Sequence, residues 1–219
     1  MVWRLTQSFE AIIGATDRTP VGAEAMKVHD FDKDGIHEIF IPLTAQRTDD
    51  HSTTEILLLN YTSDGQLTAV QRGEFTSGWA QNLNIGDFNG DGFSDVLIGD
   101  HGTEVANAVP GSENPGSLHQ LLLGTSHGLT TPSGDVGFTG TGFWHTTKSG
   151  DIDGDGDLDF ITSNGMPSVY QDGKHFMIFK NDGDGTFTED TNFPISLKGT
   201  IDGGSNRLPS VAALDDFNN

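Results

Sequence analysis

Three stretches of the chain, DFDKDGIHE, DFNGDGFSD and DIDGDGDLD, share the spacing D-x-[DN]-x-D-G-x-x-[DE]. The first holds Asp30, Asp32, Asp34 and Glu38, the second Asp87, Asn89, Asp91 and Asp95, and the third Asp151, Asp153, Asp155 and Asp159 with a fifth carboxylate at Asp157. Like charges this close repel by about 1 kcal/mol per pair even in water, so each stretch needs a compensating cation or must stay unfolded. The spacing favours the cation. Alternate carboxylates with glycine at the sixth position are how a short loop wraps oxygen ligands around Ca²⁺, the glycine allowing a turn that a side chain would block. Three copies in one chain argue against a merely solvated acidic run.

A helix-flanked calcium loop of the EF-hand kind also begins this way, but it needs a bidentate Glu at position twelve. Position twelve here is Ile41, Ile98 and Thr162. Each stretch runs instead into a short apolar segment, Ile39-Phe40-Ile41, Val96-Leu97-Ile98 and Phe160-Ile161. Short apolar runs rich in β-branched and aromatic residues predict strands buried on both faces. The loops are therefore expected to join strands.

The first aspartates are separated by 57 and then 64 residues. Similarity at such a period predicts a repeat in which each unit buries its faces against its neighbours. A second apolar run follows each loop: Ile56 to Leu59, Leu121 to Leu123, and Met177 to Phe179. Glycine turns come next, SDGQL at Ser63, SHGL at Ser126 and NDGDGTF at Asn181, all hairpin signals. Each unit thus reads as four antiparallel strands in about 60 residues, the plan of a β-propeller blade and of an all-β fold. The nine-residue calcium β-helix is excluded by period and by the lack of its G-G-x-G-x-D motif. The third unit departs in one respect, carrying Thr147 and Ser149 where the others have apolar residues before the loop.

Expected boundaries are 22–78, 79–142 and 143–207, with a fourth unit starting at 208–219, where Leu214-Asp215-Asp216-Phe217-Asn218 repeats the opening of a loop. About three and a half blades result, expected to belong to a larger, seven-bladed propeller or to a ring shared by two copies of the chain. An isolated stack of this kind exposes apolar faces at both ends and is expected to self-associate.

Charge narrows the partners. With 32 acidic and 11 basic residues the net charge is −21, which opposes binding to nucleic acid or anionic membrane. The loops carry four, three and five carboxylates, and three Ca²⁺ ions would bring −21 only to −15. No apolar stretch is long enough to span a membrane as a helix, and MVWRLTQSFE lacks the blocks of a signal peptide. Loops of this type fill where calcium is near millimolar, outside the cell, so a secreted or surface-exposed and bacterial setting is expected. The chain has no cysteine, which excludes disulfides and thiol chemistry.

On DFDKDGIHEI, DFNGDGFSDV, DIDGDGDLDF and the NDGDGTF hairpin, the chain from about Gly22 onward resembles the FG-GAP/VCBS repeat family, known from the calcium-loop blades of integrin α-subunit propellers and from bacterial surface proteins. The resemblance implies that positions one, three, five and nine give side-chain oxygens and position seven a backbone carbonyl, here that of Ile36, Phe93 and Asp157. The Asp157 side chain is then expected to face solvent. Glu38 at position nine and Asn89 at position three depart from the family pattern but remain oxygen donors. The loop with Asn89 is expected to bind most weakly.

No nucleophile elbow, phosphate loop or zinc spacing is present among the residues, and the eight histidines form no metal pattern. His29 and His37, beside and within the first loop, read as ordinary surface residues. The sequence therefore predicts a non-catalytic module binding a protein or glycan. Family propellers include polysaccharide lyases that use histidine, so the enzymatic alternative is the propeller of a carbohydrate-active enzyme, with His101 beside Asp100 as its candidate. Trp79 and Trp144, just ahead of two loops, are candidates for stacking on sugars or for packing between blades.

Overall fold

The computed structural model describes residues 20–22, 25–45, 53–76, 80–100, 116–142, 144–164 and 176–192. Trp79 and His101 lie outside them. The described residues are all β, with three antiparallel sheets and no helix.

The first sheet contains β1 (Pro20–Gly22), β2 (Lys27–His29), β3 (Glu38–Ala45), β4 (Thr53–Tyr61) and β5 (Leu67–Thr76). Both β1 and β2 pair with β3, so together they supply one edge of a four-stranded meander. The second sheet runs β6 (Ala80–Gly86), β7 (Asp95–Asp100), β8 (Gln120–Thr125) and β9 (Gly128–Thr130) in sequence order. The third repeats that order with β10 (Trp144–Gly150), β11 (Asp159–Asn164), β12 (Phe176–Asn181) and β13 (Phe187–Glu189). The apolar runs expected as strands are the second and third strand of each sheet, and the glycine turns join the third to the fourth.

Alternation along these strands sorts the core. In the first sheet Phe40, Ile56 and Leu58 face the second sheet, where they meet Leu83, Val96, Ile98, Leu122 and Leu129. Their neighbours Ile41, Leu43, Leu57 and Leu59 form a separate cluster on the other face. The second sheet is apolar on both faces, since Leu97 and Leu121 pack against Phe160, Met177, Phe179 and Phe187 of the third. A strand buried on both sides has no polar face to show, which is why these runs are continuously apolar.

Close approach explains the departure of the third unit. Thr147, fully buried, lies where a Cβ at Gly99 would overlap its hydroxyl, and it hydrogen-bonds Thr162 at 3.1 Å on the paired strand. An apolar side chain as large as Leu83 would not fit against β7 at that point. Asn82 then stitches β6 to β10 by donating Nδ2 to the His145 carbonyl at 2.8 Å.

Candidate metal centre

The three acidic stretches connect the first to the second strand of each sheet, so they lie at equivalent ends of the stack. They are called loops 1, 2 and 3 in chain order. Three hydrogen bonds recur in all of them. The position-six glycine N–H donates to the position-one aspartate, Gly35 to Asp30 at 3.1 Å, Gly92 to Asp87 at 2.8 Å and Gly156 to Asp151 at 3.1 Å. The position-seven N–H donates to position five, Ile36 to Asp34 at 2.7 Å, Phe93 to Asp91 at 2.8 Å and Asp157 to Asp155 at 3.0 Å. The position-two N–H donates to position nine, Phe31 to Glu38 at 2.9 Å, Phe88 to Asp95 at 2.7 Å and Ile152 to Asp159 at 2.8 Å. Backbone donors thus orient the carboxylates without neutralising them.

Two features of this template are not conveyed by carboxylate spacing. Position two is an anchor in loops 1 and 2, where Phe31 and Phe88 are fully buried in the cores between sheets. Position four turns left-handed in every loop, through Lys33 at φ 61°, Gly90 at 70° and Gly154 at 84°. Lys33 is the one non-glycine residue with positive φ among those described, a conformation that side chains adopt at some strain.

The position-nine carboxylates are the buried floor of each loop, with Glu38, Asp95 and Asp159 fully inaccessible. Burial pushes all three above the usual carboxylate range, Asp95 to about 6. Neighbouring aspartates push the same way, Asp91 and Asp87 on Asp95, and Asp32, Asp34 and Asp30 on Glu38. Such a site resists negative charge unless a cation enters.

The donor set fits a hard divalent ion. Carboxylate oxygens of Asp30, Asp32 and Glu38, and again of Asp151, Asp153 and Asp159, lie within 4.8 Å of one another. Asp30 Oδ1, Glu38 Oε1 and Asp87 Oδ1 are buried without any hydrogen-bond donor. Buried, unpaired carboxylate oxygens are costly unless a cation coordinates them. Oxygen-only ligands of this number suit Ca²⁺, which Asp30, Asp32, Asp34 and Glu38 would hold in loop 1 and their counterparts in loops 2 and 3. In loop 2 the Asn89 amide Nδ2 donates to Asp91 Oδ2 at 3.0 Å, occupying one oxygen of that loop from within.

The loops are tied to one another. His29 bonds Ser94 of loop 2 at 2.7 Å, so it is a bridge between sheets and not the ordinary surface histidine expected from its position. His37 is exposed. Asn181, 3% exposed, starts the last turn of the third sheet and reaches both remaining loops. Its Nδ2 donates to the Phe88 carbonyl of loop 2 at 2.7 Å and to the Leu158 carbonyl of loop 3 at 3.2 Å. Its backbone N–H donates to Asp159 Oδ1 at 2.9 Å, and its Oδ1 accepts from Gly183 and Gly185. Linear spacing marks this residue only as the start of a glycine turn, and its bond to Phe88 crosses 93 positions.

Asp157 also differs from expectation. Its carboxylate does not stand free in solvent but lies against Gly183, where a Cβ would overlap it. Gly183 adopts φ +81°, so the NDGDGTF turn needs glycine there for conformation as well as for space.

Trp144 is fully buried. Its ring stacks on His119 at 4.5 Å and its Nε1 donates to the Ser117 carbonyl at 2.6 Å, so of the two readings its placement is packing between sheets, with no face offered to a sugar. Asp100, beside the enzymatic candidate, is buried at the end of β7 and accepts from Gln120 Nε2 at 3.1 Å.

Meanders of four antiparallel strands stacked face to face, each with an acidic loop at the same end, define a module of β-propeller blade type; the described residues do not close a ring. Residues 30–98, from loop 1 to the strand after loop 2, match the family model described as the FG-GAP-like repeat. Loop 3, beyond the matched residues, shares the three hydrogen bonds of the template. Among curated proteins none matches the chain.

Proposed function

We propose that the chain is a calcium-binding module of β-propeller type that works outside the cytoplasm, with about three Ca²⁺ ions fixing the loops at one end of its blades and its faces binding a protein or glycan. The observation that carries this reading is the set of buried, donorless oxygens at Asp30, Glu38 and Asp87 within loops of one common design. Oxygen loops of the extracellular kind bind calcium at roughly 0.1 to 1 mM, so they fill outside cells and stay empty in the cytosol. An ion bound in such a loop makes the blade edge more rigid where calcium is present. Rigid blade ends then present the intervening surface in one arrangement to a partner. Further blades, in the same polypeptide or a second copy, complete the ring on this reading.

The test is thermal. Ligand at a hundred times its dissociation constant stabilises by about 2.7 kcal/mol per site, which for a domain of this size is about 5 to 10 °C. Melting in EDTA should therefore fall well below melting in CaCl₂. MgCl₂ should restore less, because its tight octahedral shell suits a loop of many oxygens poorly. A melting temperature indifferent to EDTA and CaCl₂ would remove the calcium reading.

A further inference from the structure

The three loops share a template but not a charge balance. Loop 1 has four carboxylates, and among the described residues no basic side chain pairs with any of them. Its own lysine, Lys33, turns outward and places Nζ 5.3 Å from the ring centroid of Phe93 in loop 2. Two of its buried oxygens, Asp30 Oδ1 and Glu38 Oε1, have no donor. Glu38 is one methylene longer than aspartate, and only its Oε2 is taken, by the Phe31 N–H.

Loops 2 and 3 are already partly compensated by the protein. Both oxygens of Asp95 accept backbone N–H groups, from Phe88 at 2.7 Å and Gly124 at 2.8 Å. Both oxygens of Asp159 do the same, from Ile152 and Asn181. In loop 3 the Lys180 ammonium lies 3.2 Å from Asp153 Oδ2, with Asp190 behind it at 3.7 Å. Asp153 is the position-three carboxylate, so a cation entering loop 3 meets a positive charge already on one of its donors. No buried oxygen of loop 3 is left without a donor.

We propose that loop 1 is the high-affinity divalent site, with Glu38 a direct ligand through Oε1, and that Lys180 acts as a built-in counter-ion that keeps loop 3 ordered without metal and lowers its affinity for metal. The proposal rests on the calcium reading above. It reverses the ranking that carboxylate number alone gives, since loop 3 has five and loop 1 four. Lys180 and Asp153 are part-exposed, so the effect of the ammonium is screened and amounts to a few-fold in affinity.

Calorimetric titration of the full chain with CaCl₂ tests this, using Glu38→Gln, Asp32→Asn and Lys180→Gln. Glu38→Gln should abolish the tightest binding step and spare the weaker ones. Asp32→Asn serves the same purpose if the buried substitution prevents folding. Lys180→Gln should leave the tightest step in place and tighten a weaker one about three- to tenfold, while lowering the melting temperature in EDTA by about 1 to 3 °C. Opposite signs on metal affinity and metal-free stability separate a counter-ion from a purely structural residue, which would weaken both. Retention of the tightest step in both loop 1 variants, or constants unchanged in Lys180→Gln, overturns the proposal while leaving calcium binding intact. A wild-type chain that takes up no calcium overturns the underlying reading instead.

Discussion

Truncating Asn181 to alanine is expected to remove about 3 to 5 kcal/mol of stability, among the largest single losses available outside the aromatic core. The side chain is buried and uses its donors and its acceptor on four backbone groups: the carbonyls of Phe88 and Leu158 and the amides of Gly183 and Gly185. Alanine leaves all four short of a partner in a place water reaches poorly, and each such group costs about 1 kcal/mol or more. Asn181→Asp should be no better. It keeps the acceptor and the size but turns an oxygen toward two carbonyls and adds a charge beside Asp159. Denaturant unfolding of both variants measures the effect, and a loss below about 1 kcal/mol would show that the bridge between loops 2 and 3 matters little.

Acid should unfold the protein through His119. This side chain sits among Trp144, Phe138, Phe160 and Phe179 with ring centroids 4.5 to 5.9 Å away, and neither of its nitrogens makes a hydrogen bond of normal geometry. Burial drives its pKa from 6.5 down to about 3. Between those values the unfolded chain binds a proton that the folded chain refuses, so stability is full above pH 6.5 and falls as pH drops toward 3. The linkage amounts to on the order of 4 to 5 kcal/mol. Asp95 works in the opposite sense in the metal-free protein. Its pKa rises from 3.8 to about 6 on folding, so its contribution is greatest below 3.8 and is lost as pH rises through 6.

The two groups partly cancel in the wild type, and a variant separates them. His119→Leu, close in volume and without polar atoms, should match or exceed wild-type stability at pH 7 and lose far less between pH 7 and pH 4. Unfolding in urea with EDTA at both pH values gives the comparison. Parallel losses in the two proteins would mean that His119 is not the acid-sensitive group.

How far the sequence reaches is visible in these same residues. Strands, glycine turns and acidic loops were legible because each is signalled by residues a few positions apart, where spacing is geometry. Apolar runs without alternation foretold strands buried on both faces; β7 packs against both neighbouring sheets, and all six residues of β11 are buried. Asn181 and His119 were not legible, because their roles exist only after separate sheets meet. Trp144 shows the same limit. Its place ahead of a loop allowed either an exposed ring or a buried one, and what settles it is His119, 25 positions earlier in the chain and stacked on it. Differences among the loops were only partly legible: Asn89 could be read directly, whereas the Lys180 contact with Asp153 depends on the pairing of β11 with β12.

The most direct measurement of calcium in the acidic loops is the number of ions bound. Titration calorimetry of the metal-stripped full chain with CaCl₂ should give close to three ions per chain. Asp34→Asn, Asp91→Asn and Asp155→Asn, each changing position five of one loop, should each remove one. A chain that binds no calcium at millimolar concentration, or a stoichiometry unmoved by all three substitutions, would contradict the account.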